Sequence, residues 1–414
     1  TSAESGTTTA RNACKTAPGY IITSSANAAD AAVRVGQVPA GKYAGGGTAL
    51  VSHATNANTG TASESGSNCA AGKYSAAGAA SCTDCAAGKT SAAGDAFCGK
   101  IAAGYFGTVG ASSNGDFTAH AGTVALCTSV FTHASNPSAG ITSDVSATTT
   151  TKTACKTAAG YIITSADGAA DGAITVAAAA AGKYAAGGVT LLDSDNAGRA
   201  GAPATDCAAG TSSAAGAASC TNCAAGKYSA TDAASCTACA AGKSSAVGSA
   251  FCGKIAAGYY GTAGATSNGA YTGHAGSVTA CTTTFSNGGT AAGITSAESG
   301  TTTARNACKT APGYYITTNA NVADTAIRVA IVPAGKYIAG GTALVSHAAN
   351  ANTGTAAETP TNCAAGKFSA AGDASCTNCA AGKDSTTGDA FCGKIKAGYY
   401  GTATDGTSAH ATVT

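Results

Sequence analysis

The stretch CAAGKYSAAGAASC, residues 69–82, and its copies decide the fold of this chain. It is a module of the form Cys-x2-Gly, usually followed by Ser-x2-Gly, with a second cysteine thirteen residues after the first. The chain contains seven such modules. Their cysteine pairs are Cys69 and Cys82, Cys85 and Cys98, Cys207 and Cys220, Cys223 and Cys236, Cys239 and Cys252, Cys363 and Cys376, and Cys379 and Cys392.

Each module has the length and the turn residues needed for a disulfide-closed loop. Gly72 and Gly78 adopt positive φ without a steric penalty, so both are natural turn points. A loop of this length can bring its two Cα atoms within the roughly 4.4–6.8 Å that a disulfide needs, and closing it stabilises by about 3 kcal/mol. We expect an aromatic ring to cover the disulfide of a module, from one of two sequence positions: Tyr74, Tyr228 and Phe368, or Phe97, Phe251 and Phe391.

The composition favours cross-links over a large apolar core. The chain has 414 residues, enough for two to four domains, and 44% are hydrophobic, but most of these are alanine. A net charge of +2 with 10% charged residues argues against a nucleic acid partner, which would require a basic surface. The 19 cysteines indicate an oxidising compartment.

Long internal repeats divide the chain into three parts. Residues 1–20, TSAESGTTTARNACKTAPGY, recur without change at residues 295–314. The repeats are 1–141, 142–294 and 295–414, with cysteine modules at 69–98, 207–252 and 363–392. Because the third repeat stops before its last cysteine, the sequence predicts a segment of a longer tandem array.

Each repeat combines a β-type half with a block of cysteine modules. Short runs such as 20–23, 32–35 and 48–51 are typical of strands, and Gly and Asn clusters separate them. Alanine-rich runs such as 177–181 favour helix by propensity, but no sustained helical stripe accompanies them. We predict a mainly β chain with little helix: an elongated, disulfide-stapled rod in which small β domains alternate with cysteine-rich modules.

Five cysteines lie outside the modules, and two pairing schemes fit them. The first joins Cys127 with Cys155 and Cys281 with Cys308, and leaves Cys14 unpaired in this chain. The second joins Cys14 with Cys127 and Cys155 with Cys281, and leaves Cys308 unpaired. We favour the first because its loops are shorter, although connectivity does not follow from sequence alone.

Metal and catalytic interpretations have less support. Cys220-x2-Cys223 and Cys236-x2-Cys239 resemble a four-cysteine zinc ribbon, but the first and third repeats have no second Cys-x2-Cys pair. No histidine lies in a zinc-protease pattern, and the scattered acidic residues are typical of turns. The six histidines are His53, His120, His133, His274, His347 and His410. We therefore expect no metal, no cofactor and no enzymatic activity.

The module resembles two related kinds of extracellular repeat. Cys-x2-Gly-x-Tyr/Phe-Ser-x2-Gly-x3-Cys-x2-Cys is similar to ephrin-receptor-like and growth-factor-receptor-like cysteine repeats, over roughly a quarter of the chain. Tandem repeats rich in Ala, Ser, Thr, Gly and Cys look like the surface (immobilisation) antigens of ciliates, which are coat proteins. All seven modules here read Cys-Ala-Ala, where such repeats often carry Pro after the cysteine.

From the repeats and this resemblance we predict a structural protein of the cell surface or extracellular space. It would form a coat or filament by head-to-tail assembly with itself. The alternative is an adhesion or receptor ectodomain that binds a protein or glycan. No apolar run is long enough to span a bilayer and no leader peptide begins the chain, while abundant Ser and Thr make O-linked glycan a candidate modification.

Overall fold

The chain folds mainly into short antiparallel hairpins. The computed structural model describes residue 1 and residues 10–108, 122–201, 203–262, 276–286 and 291–401. Within these ranges every sheet has two strands, and there are only two α-helices, Cys127–Val130 and Cys281–Thr284. The prediction of a mainly β chain built from small disulfide-linked modules is confirmed.

Three classes of hairpin recur. The lead hairpins open each β domain: Tyr20–Ile22 with Val35–Gln37, Tyr161–Ile163 with Val176–Ala178, and Tyr314–Ile316 with Val329–Ile331. The junction hairpins follow a cysteine block: Tyr105–Gly107 with Val124–Leu126, and Tyr259–Gly261 with Val278–Ala280. The module hairpins are Lys73–Tyr74 with Thr83–Asp84, Lys89–Thr90 with Lys100–Ile101, Thr211–Ser212 with Thr221–Asn222, Lys227–Tyr228 with Thr237–Ala238, Lys243–Ser244 with Lys254–Ile255, Lys367–Phe368 with Thr377–Asn378, and Lys383–Asp384 with Lys394–Ile395.

Further short elements complete each β domain. The other strands are Lys42–Tyr43 with Ser67–Asn68, Ile141–Thr142 with Lys156–Thr157, Ile294–Thr295 with Lys309–Thr310, Lys336–Tyr337 with Thr361–Asn362, and also Lys183–Tyr184 and Thr205–Asp206. Single 3₁₀ turns are Arg11–Ala13, Asp30–Ala32, Ser138–Gly140, Lys152–Ala154, Asp171–Ala173, Ala291–Gly293, Arg305–Ala307 and Asp324–Ala326. Such short elements do not hold their shape alone, so covalent links and side-chain packing must fix them.

Two apolar clusters form the cores of the second and third β domains. In the third, Phe285, Ile316, Ile327 and Leu344 are almost fully buried beside the Cys281–Cys308 disulfide. The second is built in the same way around the Cys127–Cys155 disulfide. Both clusters are small, which agrees with the scarcity of large aliphatic residues in the sequence.

The folded β domains do not begin where the sequence repeats begin. The segment that carries Phe131 belongs by sequence to the first repeat, yet it packs in the core of the second β domain. Phe285 does the same one repeat later. By Cα proximity the chain forms two compact units, Thr1–Thr205 with Ala214–Ser219 and Asp206–Ser213 with Cys220–Thr414. The boundaries 1–141, 142–294 and 295–414 stay a prediction made from the sequence repeats.

Some predicted strands lie elsewhere in the structure. In the run 32–35 the strand begins only at Val35, because residues 30–32 form a 3₁₀ turn. The run 48–51 supplies two isolated bridges, Lys15 with Ala49 and Val51 with Gly60. Strand Val176–Ala178 covers the start of the alanine run 177–181, because pairing with Tyr161–Ile163 overrides helix propensity.

Candidate functional site

Nine disulfides link the chain. Seven of them close the modules, each with a sequence separation of 13 residues and Cα atoms 5.6–5.7 Å apart: Cys69–Cys82, Cys85–Cys98, Cys207–Cys220, Cys223–Cys236, Cys239–Cys252, Cys363–Cys376 and Cys379–Cys392. Two more join Cys127 to Cys155 and Cys281 to Cys308, and Cys14 is a free, exposed thiol. This connectivity is the shorter-loop scheme. It also places Cys220, Cys223, Cys236 and Cys239 in disulfides, where they are not available to a zinc ion.

A buried serine connects each module to the one before it. Ser245 Oγ donates to the carbonyl of Lys227 at 2.7 Å, and Ser229 Oγ donates to the carbonyl of Thr211 at 2.8 Å. At the same two contacts between successive modules, the amides of Gly226 and Gly210 donate to the carbonyls of Ser245 and Ser229, at 3.0 and 2.9 Å. The first block repeats the contact through Ser91 Oγ, which donates to the Lys73 carbonyl at 2.7 Å.

These serines are the residues that sequence reasoning missed. The Ser-x2-Gly pattern identifies part of the module, but the pattern alone does not predict a role for the serine hydroxyl. The structure buries it and uses it to satisfy a carbonyl of the preceding hairpin, where an apolar residue would leave that carbonyl without this donor. The signal was present in the sequence, since all seven modules carry Ser at this position, whereas a freely solvated position tolerates other polar residues.

The aromatic rings cover the modules only in part. Phe97 and Phe251 are buried, whereas Phe391 at the same module position is exposed. Tyr74, Tyr228 and Phe368, which share the other position, are half-buried.

Glycines allow the modules and the β domains to approach closely. Gly41 has φ +82°, and a Cβ added there would collide with the backbone carbonyl of Gly94. The same contact joins Gly335 to Gly388 in the third repeat. Gly226 has a similar φ of +77°, but no atom lies within 4 Å of its added Cβ.

We expect Gly41→Ala to destabilise the first cysteine block more than Gly226→Ala destabilises the second. Both substitutions place an L residue at positive φ, which costs about 1–2 kcal/mol, but only Gly41→Ala adds a collision with backbone. Hydrogen exchange of the module amides in each full-length variant measures the difference. Equal loss of protection at the two sites would contradict the role given to the Gly41–Gly94 contact.

The end of each cysteine block is joined to the following β domain by backbone hydrogen bonds. We call this contact the junction. At the second junction Ile255 and Ser299 exchange bonds of 2.8 and 3.0 Å, and the Gly261 and Thr303 backbones exchange bonds of 3.1 and 2.8 Å. Ser296 Oγ donates to the Tyr259 carbonyl at 2.7 Å. At the first junction Ile101 and Ser146 exchange bonds of 2.7 and 3.1 Å, and Ser143 Oγ donates to the Tyr105 carbonyl at 2.6 Å. The Thr150 amide donates to the Gly107 carbonyl at 2.8 Å, whereas the Gly107 amide donates to Thr150 Oγ1 at 3.1 Å.

An ion pair strengthens the second junction. Lys254 Nζ donates to Glu298 Oε1 at 2.8 Å. This bond, with a second from Ser244, holds the pKa of the Glu298 carboxyl below its ordinary value. Both side chains are partly exposed, so the pair adds little stability to the junction.

A covering segment leads from each junction onto the next β domain. It consists of residues 127–141 at the first junction, and of residues 281–286 with 291–294 at the second. Each begins with a disulfide-bonded cysteine in a one-turn helix and continues with a buried Phe. Asn136 fixes the first segment to the edge of the lead hairpin. Its Nδ2 donates to the Ile174 carbonyl at 2.9 Å, and its Oδ1 accepts the Val176 amide at 2.7 Å.

A cavity lies beside the first lead hairpin. Tyr20, Tyr43, Glu64 and the backbone of Gly45 and Gly46 line it. Glu64 is engaged inside the domain, because Oε2 accepts the Ile22 amide at 3.1 Å and Oε1 accepts the Thr48 hydroxyl at 2.7 Å. The Glu64 carboxylate therefore has a structural role within the β domain.

The histidines do not form a catalytic constellation among the residues described. The exposed rings of His53, His347 and His133 are hydrogen-bonded through Nδ1 to the hydroxyls of Ser52, Ser346 and Ser135. His133 Nδ1 also accepts the Ser135 amide at 3.3 Å. His120, His274 and His410 lie outside the described residues. In the described ranges no three His, Cys, Asp or Glu side chains are grouped to hold a metal ion, and no helix there is long and apolar enough to cross a membrane.

Comparisons with models of known protein families and with curated protein sequences give no match. What the structure defines is a cysteine-rich tandem-repeat protein of small disulfide-stapled hairpins. This architecture is typical of non-enzymatic structural proteins, and its nine disulfides suit an oxidising, secretory environment.

Proposed function

We propose that this chain is a structural protein of the cell surface or extracellular space that assembles head to tail into a coat or filament. The second junction is formed by two stretches of the chain, residues 251–262 and residues 295–314, which we call its halves. The supporting observation is that the sequence of each half occurs again elsewhere in the chain. Residues 391–402 repeat residues 251–262 with one difference, Lys396 in place of Ala256. Residues 1–20 repeat residues 295–314 without change.

The copy of the first half, residues 391–402, is more exposed in its described residues than its counterparts at the two junctions. Ile101 and Ile255 are fully buried by their junctions, whereas Ile395 at the same position is half-buried. Tyr400 is 75% exposed, while its counterpart Tyr260 packs on the third β-domain core and its hydroxyl lies 2.7 Å from Thr284 Oγ1. Joining these two halves between copies would remove the exposed apolar surface from water.

Such a contact is heterologous, since it joins different surfaces of two identical chains. A heterologous contact that does not close on itself produces an open filament. The resemblance to the tandem-repeat surface antigens of ciliates supports the same proposal, because those proteins form coats. The adhesion alternative has less support, since the carboxylate in the tyrosine-lined cavity is already engaged within its domain.

Negative-stain microscopy and sedimentation of the purified chain test the proposal. We expect end-to-end strings, and we expect Tyr400→Asp to weaken the association by about tenfold or more, because a charge would replace an apolar anchor. Val247→Asp is the matched control, since Val247 is 65% exposed and lies within a cysteine module, away from the junctions. Compact monomers at all concentrations, or equal weakening by both variants, would refute head-to-tail assembly. Surface labelling of intact cells tests the location of the coat.

A further inference from the structure

Two tripeptides of the sequence have the form of an acceptor for N-linked glycan, with cysteine as the third residue. They are Asn12-Ala-Cys14 and Asn306-Ala-Cys308. The sequence has no Asn-x-Thr, and proline blocks its one Asn-x-Ser, Asn136-Pro137-Ser138. A cysteine thiol replaces the usual hydroxyl at this position, less efficiently, because it donates and accepts hydrogen bonds more weakly. Asn12 and Asn306 are therefore the two asparagines of this sequence that match an acceptor in either form.

The third β domain presents Asn306 to solvent, whereas the side chains on either side of its turn pack into the domain. Asn306 is the middle residue of the 3₁₀ turn Arg305–Ala307, which the Cys308 amide closes by donating to the Arg305 carbonyl at 3.0 Å. The Arg305 guanidinium is paired with the buried carboxylate of Asp324. Cys308 is fully buried in its disulfide. These anchors hold the turn with Asn306 exposed.

Asn306 stays exposed although the second junction is fully formed beside it. The backbones of Gly261 and Thr303 exchange hydrogen bonds of 3.1 and 2.8 Å just before the turn. The preceding cysteine block is therefore already in place where the exposure of Asn306 is observed. An oligosaccharide on this side chain would extend into solvent without displacing either half of the junction.

The second β domain shows that the turn itself does not require asparagine. Its turn Lys152–Ala154 is closed in the same way, with the Cys155 amide donating to the Lys152 carbonyl at 3.1 Å. Thr153 stands there at the position of Asn306. Because the same turn forms with either residue, its geometry leaves asparagine at this position free for another role.

We propose that Asn12 and Asn306 carry N-linked oligosaccharide, attached as the chain enters a secretory compartment. This inference rests on the secretory location within the proposed function, and not on head-to-tail assembly. The asparagine Nδ2 attacks C1 of the first sugar of an oligosaccharide carried on a lipid pyrophosphate, and a C–N bond forms. The bond from C1 to the pyrophosphate oxygen breaks, the lipid pyrophosphate leaves, and the side-chain amide gives one proton to a base of the transferase. The step involves no oxidation or reduction.

Disulfide formation competes with this step in the third β domain. The acceptor needs a thiol at its third residue, and the Cys281–Cys308 disulfide consumes that thiol. Cys281 precedes Cys308 by 27 residues, so it has entered the compartment before the acceptor arrives. Cys14 has no disulfide partner in this chain. Since residues 1–20 and 295–314 are identical, the occupancy of Asn12 should exceed that of Asn306.

The test expresses the full chain behind a cleavable leader in a eukaryotic secretory host and maps the product by glycopeptide mass spectrometry. We expect N-linked oligosaccharide at both asparagines, with lower occupancy at Asn306. Asn12→Gln and Asn306→Gln should each lose one oligosaccharide. Thr153→Asn should gain one at the turn of the second β domain, because it completes Asn-Ala-Cys there.

Two further variants separate the acceptor from the fold. Cys281→Ser and Cys308→Ala remove the same disulfide, but only Cys281→Ser keeps the thiol that the acceptor needs. Cys281→Ser should raise the occupancy of Asn306 to that of Asn12, whereas Cys308→Ala should abolish it. Both are read in total cell material, since transfer precedes folding.

The outcomes distinguish this inference from the proposed assembly. A secreted chain with its disulfides formed and neither asparagine modified would overturn the inference, as would unchanged glycosylation of Asn306 in Cys308→Ala. Strings formed by such an unmodified chain would leave the proposed assembly standing. Glycosylated chains that remain monomeric would support the modification and refute the assembly.

Discussion

Phe285→Ala is expected to destabilise the third β domain by about 3–5 kcal/mol, the range for removing a large aromatic side chain from a packed core. Phe285 is 1% exposed and fills a small cluster with Ile316, Ile327 and Leu344, and few other large side chains there can compensate. Because the chain has several domains, local hydrogen exchange is a better measure than one global melting transition. The amides of residues 314–331 should lose protection in the variant.

Tyr400→Ala is the matched control for this aromatic truncation. Its ring is 75% exposed, so its removal should change the protection of the third β domain by less than about 0.5 kcal/mol. If Phe285→Ala left the exchange of residues 314–331 unchanged, the covering segment would not be part of the core. Phe131→Ala should reproduce the loss in the second β domain, since Phe131 is also 1% exposed.

Removing the disulfide of the central module in the second block should unfold that module. The double substitution Cys223→Ser and Cys236→Ser deletes a link that closes a short loop and contributes about 3 kcal/mol on the chain-entropy model. Besides this bond the module has a two-residue hairpin, a partly covered ring and the serine-linked hydrogen bonds to its neighbours. We expect limited proteolysis to cut first between residues 223 and 236, and exchange of the Gly226 amide, which donates to the Ser245 carbonyl, to rise.

Cys14→Ser is the control for this second experiment. It replaces an exposed thiol that has no disulfide partner in the chain, so it should leave the protease pattern unchanged. Persistence of the wild-type pattern in the double variant would show that hydrogen bonds alone hold the module. That outcome would contradict the interpretation that cross-links replace an apolar core.

The general architecture could be predicted from sequence because its determinants are local. The Cys-x2-Gly grammar fixes the loop length, the turn residues and the disulfide within a short stretch, and the lack of helical periodicity excludes long helices. Strand positions were less accurate. The run 48–51 has strand-like residues, but it forms only isolated bridges with residues distant in sequence. A local sequence pattern does not predict such pairing.

The sequence repeats do not show which residues pack together in one β-domain core. Repetition shows where the sequence starts again, whereas a folded domain is defined by what packs together. Phe131 and Ile141 lie at the end of the first repeat, yet their side chains pack in the core of the second β domain. The contacts across the repeat boundary, including the junction bonds of Ile101 to Ser146, depend on tertiary packing.

The serine-linked module step has a consequence for how the cysteine block can vary. Each step uses the same serine-to-carbonyl bond and the same glycine amide, and the bonded serines recur every sixteen residues, as at Ser229 and Ser245. Insertion or deletion of one sixteen-residue step therefore restores every bond at its new neighbour. The block length is an adjustable quantity, with two modules in the first and third repeats and three in the second. A gene encoding this chain can therefore lengthen or shorten a cysteine block by in-frame duplication or deletion of one step, with the same hydrogen bonds formed at each step.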